Sequence, residues 1–212
     1  MDKCQHWQQV FSNKEPVEMS WTQAEEDHSL KALQALNLSS NSHIVEAGCG
    51  VSRLSDQLVS AGFTRITLVD ISQQALVKQK KRHNEQQLSN ANIQYLCIDL
   101  ANKANQSNLT ADCWIDRAVF HFLTDIEQQR NYLNRLLDVL PKKGYWILAT
   151  FSEHGPEKCS GLPVLRYSHQ ALITFVEQHF PDQFISVKKW QQQHLTPWGA
   201  EQSFNWWILQ RI

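Results

Sequence analysis

The residues of this sequence best placed to do chemistry are four acids, each at the end of a short apolar run that closes on the acid or on a glycine turn. Glu46 falls in Ile44-Val45-Glu46-Ala47 and is followed almost at once by the glycine turn Gly48-Cys49-Gly50. Glycine lets a backbone come close to a ligand because no Cβ intervenes. A carboxylate just before such a turn would repel a pyrophosphate and attract a ligand that carries ammonium or sulfonium charge. Asp70 closes the run 65–69, 20 residues after Gly50. An acid there can accept hydrogen bonds from both hydroxyls of a ribose. Asp99 closes 93–98, where it could accept from an adenine amino group, and Asp116 closes 113–115, nearest the presumptive reacting centre. Any one of these acids could simply cap a helix. Four in order after successive runs make a shared site the better reading.

The elements that must position them alternate. Apolar runs at 44–47, 65–69, 93–98, 113–115 and 144–151 are separated by amphipathic stretches at 52–61, 72–83 and 125–140, with another at 23–36 before the first run. Ser72 and Ser168 stand where helix N-caps belong, and Pro141 stops the helix before it. Two last runs, 184–190 and 204–211, flank a helix-free stretch and read as a terminal strand pair. Strand and helix in alternation predict an α/β fold: a Rossmann-like, doubly wound sheet of about seven strands, mainly parallel, with the terminal pair antiparallel. Such sheets bind ligands outside the carboxyl ends of their strands, where all four acids fall.

Composition narrows the class of function. With 212 residues the chain suits one domain; 42% are apolar and 19% charged, which fits neither a disordered nor a membrane protein. The formal net charge of −1, from 20 basic and 21 acidic residues, gives no general attraction to a phosphate backbone, so nucleic acid is not an expected partner. Neither a secretory leader nor an apolar run of membrane-spanning length is evident. The five cysteines are dispersed without a CxxC pair and read as reduced thiols in a cytoplasmic enzyme. No clustered His, Cys and Asp set suggests a metal. The glycine pattern also lacks the third glycine of a dinucleotide fingerprint, because Arg53 holds that position.

The segments VEAGCGVSRLSDQL, LVDIS, CIDLA and WIDRAVFHFL, in this order across roughly 42–151, resemble the successive motifs of class I S-adenosylmethionine (SAM)-dependent methyltransferases. His6-Trp7, Ser20-Trp21-Thr22 and GPEKCSGLPVLRYS look like a small bacterial, type 12-like group of that class. The resemblance implies one domain over 1–212. It would comprise an N-terminal helical cap segment (1–40), a SAM-binding core (42–151), and an acceptor-side loop with terminal strands (152–212). It also implies that Glu46, Gly48 and Gly50 hold the methionine part of SAM, Asp70 the ribose and Ile71 the adenine face. Asp99 and Leu100 would sit at the adenine edge, with Asp116 and Arg117 facing the methyl group and the substrate. Ser52 stands where many members have a third glycine, and can cap the helix that follows.

The expected reaction is transfer of the SAM methyl group, leaving S-adenosylhomocysteine (SAH), to an acceptor that is a small molecule rather than a protein. If a base is needed, Asp116 and His121 are the candidates, although His121 between two phenylalanines also reads as a core histidine. Trp21, Arg117, Cys159, Arg166 and Tyr167 are the candidate acceptor contacts, and Trp7 and Trp198 lie in segments that could close over the ligand. The alternatives are a protein lysine methyltransferase, an NAD-dependent oxidoreductase, and a SAM-binding protein without catalysis.

Overall fold

A computed structural model describes residues 2–23, 27–88, 90–103 and 109–212. In chain order the helices are α1 (Lys3–Asn13), α2 (His28–Gln34), α3 (Leu54–Ser60), α4 (Gln73–Glu85), α5 (Ile126–Val139) and α6 (His169–His179). The strands are β1 (His43–Ala47), β2 (Arg65–Asp70), β3 (Asn92–Cys97), β4 (Cys113–Arg117), β5 (Tyr145–Phe151), β6 (Lys158–Cys159), β7 (Leu162–Pro163), β8 (Phe184–Leu195) and β9 (Glu201–Arg211). Seven strands form one sheet in the order β3-β2-β1-β4-β5-β9-β8. Strands β1 to β5 run parallel to one another, while β9 runs antiparallel to both β5 and β8. The order reverses between β1 and β4, which opens a crevice at their carboxyl ends. Among the described residues no helix is long and apolar enough to cross a membrane.

Both faces of the sheet are covered, as a parallel sheet requires, and the period of two along each strand sorts side chains between them. Ile44, Ile66, Leu68, Cys113, Ile115, Ile147 and Ala149 pack with Leu30 and Leu33 of α2 and Leu54 and Leu58 of α3. Val45, Ala47, Trp114, Trp146 and Leu148 pack with Leu133 and Leu136 of α5 and Leu172 and Val176 of α6. Trp206 and Trp207 go to opposite faces, as adjacent strand residues must. Trp198 instead stays exposed in the β8–β9 turn, outside the crevice.

The helix caps fall where side-chain chemistry puts them. Ser72, Asp125 and Ser168 each accept a hydrogen bond from a backbone N–H of the first turn that follows. Two expected bounds move. Helix α2, expected from 23, begins only at His28, with Asp27 as its cap; residues 24–26 of the expected stretch lie outside the described residues. Strand β8 runs on from Trp190 to Leu195, because its ladder with β9 continues through the polar residues Gln191-Gln192-Gln193, where an edge strand carries no apolar signal. The short β6–β7 hairpin turns on Ser160 and Gly161, both at positive φ, the geometry of a tight two-residue turn.

Helix α1 is tied over the crevice by its polar side chains. Gln8 accepts from the Ser72 hydroxyl and the Gln74 amide, both at 3.0 Å. The Lys3 ammonium donates to the Phe122 carbonyl at 2.7 Å and to Gln128 at 2.9 Å. On the far side of the sheet, Tyr132 joins two buried polar groups: it accepts from Trp114 Nε1 at 2.8 Å and donates to Asp116 at 2.5 Å. Tyr132→Phe leaves the indole N–H without that partner and removes a donor from the carboxylate. It is expected to cost about 2–4 kcal/mol in urea unfolding.

Candidate active site

The crevice is assembled at the ends of β1, β2 and β4, and Glu46 lies at its centre. Its side chain shares the α2/α3 face with Ile44 and is buried. Ser52 Oγ donates to Glu46 Oε1 at 2.5 Å, and Oε2 has no hydrogen-bond partner. Loss of water at this site pushes the carboxyl up to about 8, against the opposing pull of the Ser52 hydrogen bond and the more distant Arg117 and Arg82 charges. Burial therefore favours the neutral acid in the empty site, and Oε2 is the oxygen that a cation would meet once the carboxyl is ionised. Ser52 caps from one residue upstream of the helix boundary: the Leu54 amide reaches its Oγ at 3.3 Å, but the shorter bond is to Glu46.

The glycine turn follows. Gly48 has φ +62°, and a Cβ there would stand 2.0 Å from Val119 Cγ2, so both the backbone and the neighbouring loop demand glycine. Gly50, at φ +49°, directs its N–H to Asp70 Oδ2 at 2.7 Å, while Ser72 N–H reaches Oδ1 at 2.8 Å. These bonds fix the Asp70 carboxyl at the mouth of the crevice, and burial raises it to about 6. Ile71, Asp99 and Leu100 line the same cavity, with Asp99 oriented by the Ala101 amide at 2.9 Å. Glu46, Gly48, Gly50, Asp70, Ile71, Asp99 and Leu100 are thus brought together around one cavity.

The acceptor-side expectations divide. Trp21, Arg117 and Cys159 line the cavity; Arg117 Nη2 donates to the Trp21 carbonyl at 3.0 Å, and burial lifts the Cys159 thiol to about 11. Asp116 does not line it. By the period of two, Ile115 and Arg117 point into the crevice and Asp116 points to the α5 side, where Tyr132 and the amides of Val119 and Phe120 bind it. His121 is also elsewhere: it is fully buried against Phe122 and Phe151, its Nδ1 accepts from the Phe151 amide at 3.3 Å, and burial lowers it to about 3. Neither residue reaches the cavity as a base. Arg166 pairs with Glu157 at 3.1 Å on the surface, and Tyr167 is a core residue whose hydroxyl accepts from Gln129 at 2.8 Å; both lie off the cavity lining.

Sequence reasoning missed part of the wall. Lys3 and Phe11 come from α1, Phe122 and Gln128 from the segment after β4, and Phe151 and Phe204 from β5 and β9. Trp7 stacks on Phe11, four residues on, and meets Trp21 and Phe122 edge-on. The Trp7/Phe11 spacing was a legible signal for one aromatic helix face. Phe151 and Phe204 pair across the β5–β9 ladder, a register no local pattern announces.

Residues 45–145 match the family described as "Methyltransferase domain". That stretch is just under half of the chain, and over it the chain is similar to SAM-dependent methyltransferases. A search of curated proteins gives no match. Solved structures share the fold throughout. The N-methyltransferase NodS from Bradyrhizobium japonicum, in complex with SAH, is 16% identical, with 99% of each chain covered and a TM-score of 0.71. A SAM-dependent methyltransferase from Anabaena variabilis is 17% identical, with 100% of this chain and 96% of that one covered and a TM-score of 0.72. The 1,6-didemethyltoxoflavin-N1-methyltransferase of Burkholderia thailandensis, with bound 1,6-didemethyltoxoflavin and SAH, is 14% identical, with 95% and 80% covered and a TM-score of 0.66.

The state of Glu46 makes this protein carry a stability penalty that depends on pH. An unfolded glutamate ionises above its ordinary value of 4.5, while the folded one resists until about 8. Stability is therefore full below the lower value and falls as pH rises between them. Glu46→Gln removes the penalty. In denaturant unfolding without ligand it is expected to match the wild type at pH 5 and exceed it at pH 9, by up to ~4 kcal/mol. A difference that does not grow with pH would show the carboxyl to be ionised in the empty site.

Proposed function

We propose that this chain transfers the methyl group of SAM to a small-molecule acceptor. The observation that carries the reading is the unpaired, buried Glu46 Oε2, set before the glycine turn whose Gly50 amide holds the Asp70 carboxyl. A ligand with an ammonium at one end and ribose hydroxyls further along satisfies both. When bound, SAM would supply an activated methyl group on its sulfonium for transfer to the acceptor, with SAH as the product. Glu46 and Asp70 bind and orient, Ile71, Leu100 and Asp99 bracket the adenine, and Trp7, Phe11 and Trp21 exclude water. With Asp116 and His121 turned away from the cavity, the acceptor must bring a nucleophile that needs no protein base from either residue.

A small molecule fits better than a protein side chain because α1 and its aromatic face lie across the crevice. The SAH-bound relatives include an N-methyltransferase and an enzyme holding a compact heterocycle. Five unpaired thiols suit a reducing, cytoplasmic setting.

Calorimetric titration with SAM and SAH tests the reading. The wild type is expected to bind both, and Asp70→Ala to lose about 2 kcal/mol, roughly a 30-fold weakening. Failure of the wild type to bind either ligand would sink the proposal.

A further inference from the structure

The cavity has two ends, and the strand order separates them. Asp70 and Asp99 stand at the ends of β2 and β3, on one side of Glu46. On the other side, Arg117 pairs in register with Ala149 of β5, and Phe151 pairs with Phe204 of β9. Ile115, Arg117 and Phe151 have the same parity, so all three point into the cavity with Phe204. The ribose and adenine contacts occupy the β2–β3 end, which leaves the β4–β5–β9 end for the acceptor.

That end has an aromatic wall and one cation. Phe151 and Phe204 lie 4.8 Å apart between ring centroids, and Trp21 closes the wall from the N-terminal segment. Among the described residues, the only hydrogen bond from the Arg117 side chain goes to the neutral Trp21 carbonyl, and no carboxylate forms an ion pair with it. A guanidinium in a largely apolar recess gains most from an anion that can take its remaining donors. The Cys159 thiol stands by uncharged and supplies no such anion.

Resting on the SAM reading above, we infer that the acceptor is a flat, aromatic-sized anion: its negative group pairs with Arg117, and its ring lies among Trp21, Phe151 and Phe204. The electrostatics favour this. Once an ionised Glu46 holds the cofactor's ammonium, the sulfonium and Arg117 are two positive charges facing the same recess. An anionic acceptor offsets both, whereas a cationic one is repelled by both. Aromatic walls add stacking and planar selection.

The other source of an anion for Arg117 is the carboxylate of SAM itself, and the test separates the two. Benzoate, benzamide and benzylamine are titrated into SAH-loaded protein, wild type and Arg117→Gln. The expected result is that benzoate binds the wild type about tenfold more tightly than benzamide, that benzylamine binds least, and that Arg117→Gln loses the benzoate preference while its own SAH affinity stays within about threefold of wild type. Loss of SAH affinity in Arg117→Gln, from a protein that still unfolds cooperatively, assigns the arginine to the cofactor carboxylate and overturns the inference. So does a wild-type preference for benzylamine, or for benzamide over benzoate. Failure of the wild type to take up SAH overturns the SAM reading instead, which the loading step reveals before any probe is added.

Discussion

One buried carboxyl with an unused oxygen sets the terms for this structure. Glu46 is placed by β1 in a position where water is excluded and only Ser52 answers it. A fold selected for stability alone would put an apolar residue there, as the flanking Ile44 and Ile115 show on the same face. The cost is carried by the rest of the core, which is closed on both faces of a seven-stranded sheet. What it provides is a preformed partner for a positive ligand, since the group need not be reorganised when a cation arrives.

Strand parity decides which acids can join Glu46. Asp70 shares its face with Ile66 and Leu68, and the glycine turn gives it the Gly50 amide. Asp116 is one position out of phase with Ile115 and Arg117, so its carboxylate anchors the turn after β4 through the Val119 and Phe120 amides. That turn in turn seats Val119 against Gly48. Ala118, at φ 69°, is the strained link that permits the seating. Asp116 therefore acts on the site through the backbone it holds, and Arg117 is the residue of that motif that faces the cavity.

The fold was legible because its signals are local. Short apolar runs, Ser72 and Ser168 at caps, and Gly48 and Gly50 after β1 are each written in a few adjacent residues. That Glu46, Asp70 and Asp99 line one cavity was legible for the same reason, as each stands at or just past the end of its run. The acceptor end was not. In a parallel sheet both faces are apolar, so Trp114 and Ile115 look alike and the phase of Asp116 cannot be read from hydrophobicity. His121 had plausible chemistry by type, but its burial against Phe122 and Phe151 depends on packing across the sheet end. Arg166 and Tyr167, neighbours in sequence to the β6–β7 hairpin, part company with Cys159 because the hairpin folds back while they run on to the surface and the core.

The most direct test of this account is the number of protons released when SAM binds, read by calorimetry in buffers of different ionisation enthalpy. If Glu46 is held protonated until the ligand's ammonium replaces its proton, binding at pH 7 releases about one proton, and the release falls toward zero by about pH 9.5. Glu46→Gln then abolishes the release along with most of the affinity. Tight SAM binding with no proton release at pH 7 would contradict the account, because it would mean that the carboxyl was already ionised and paired in the empty protein.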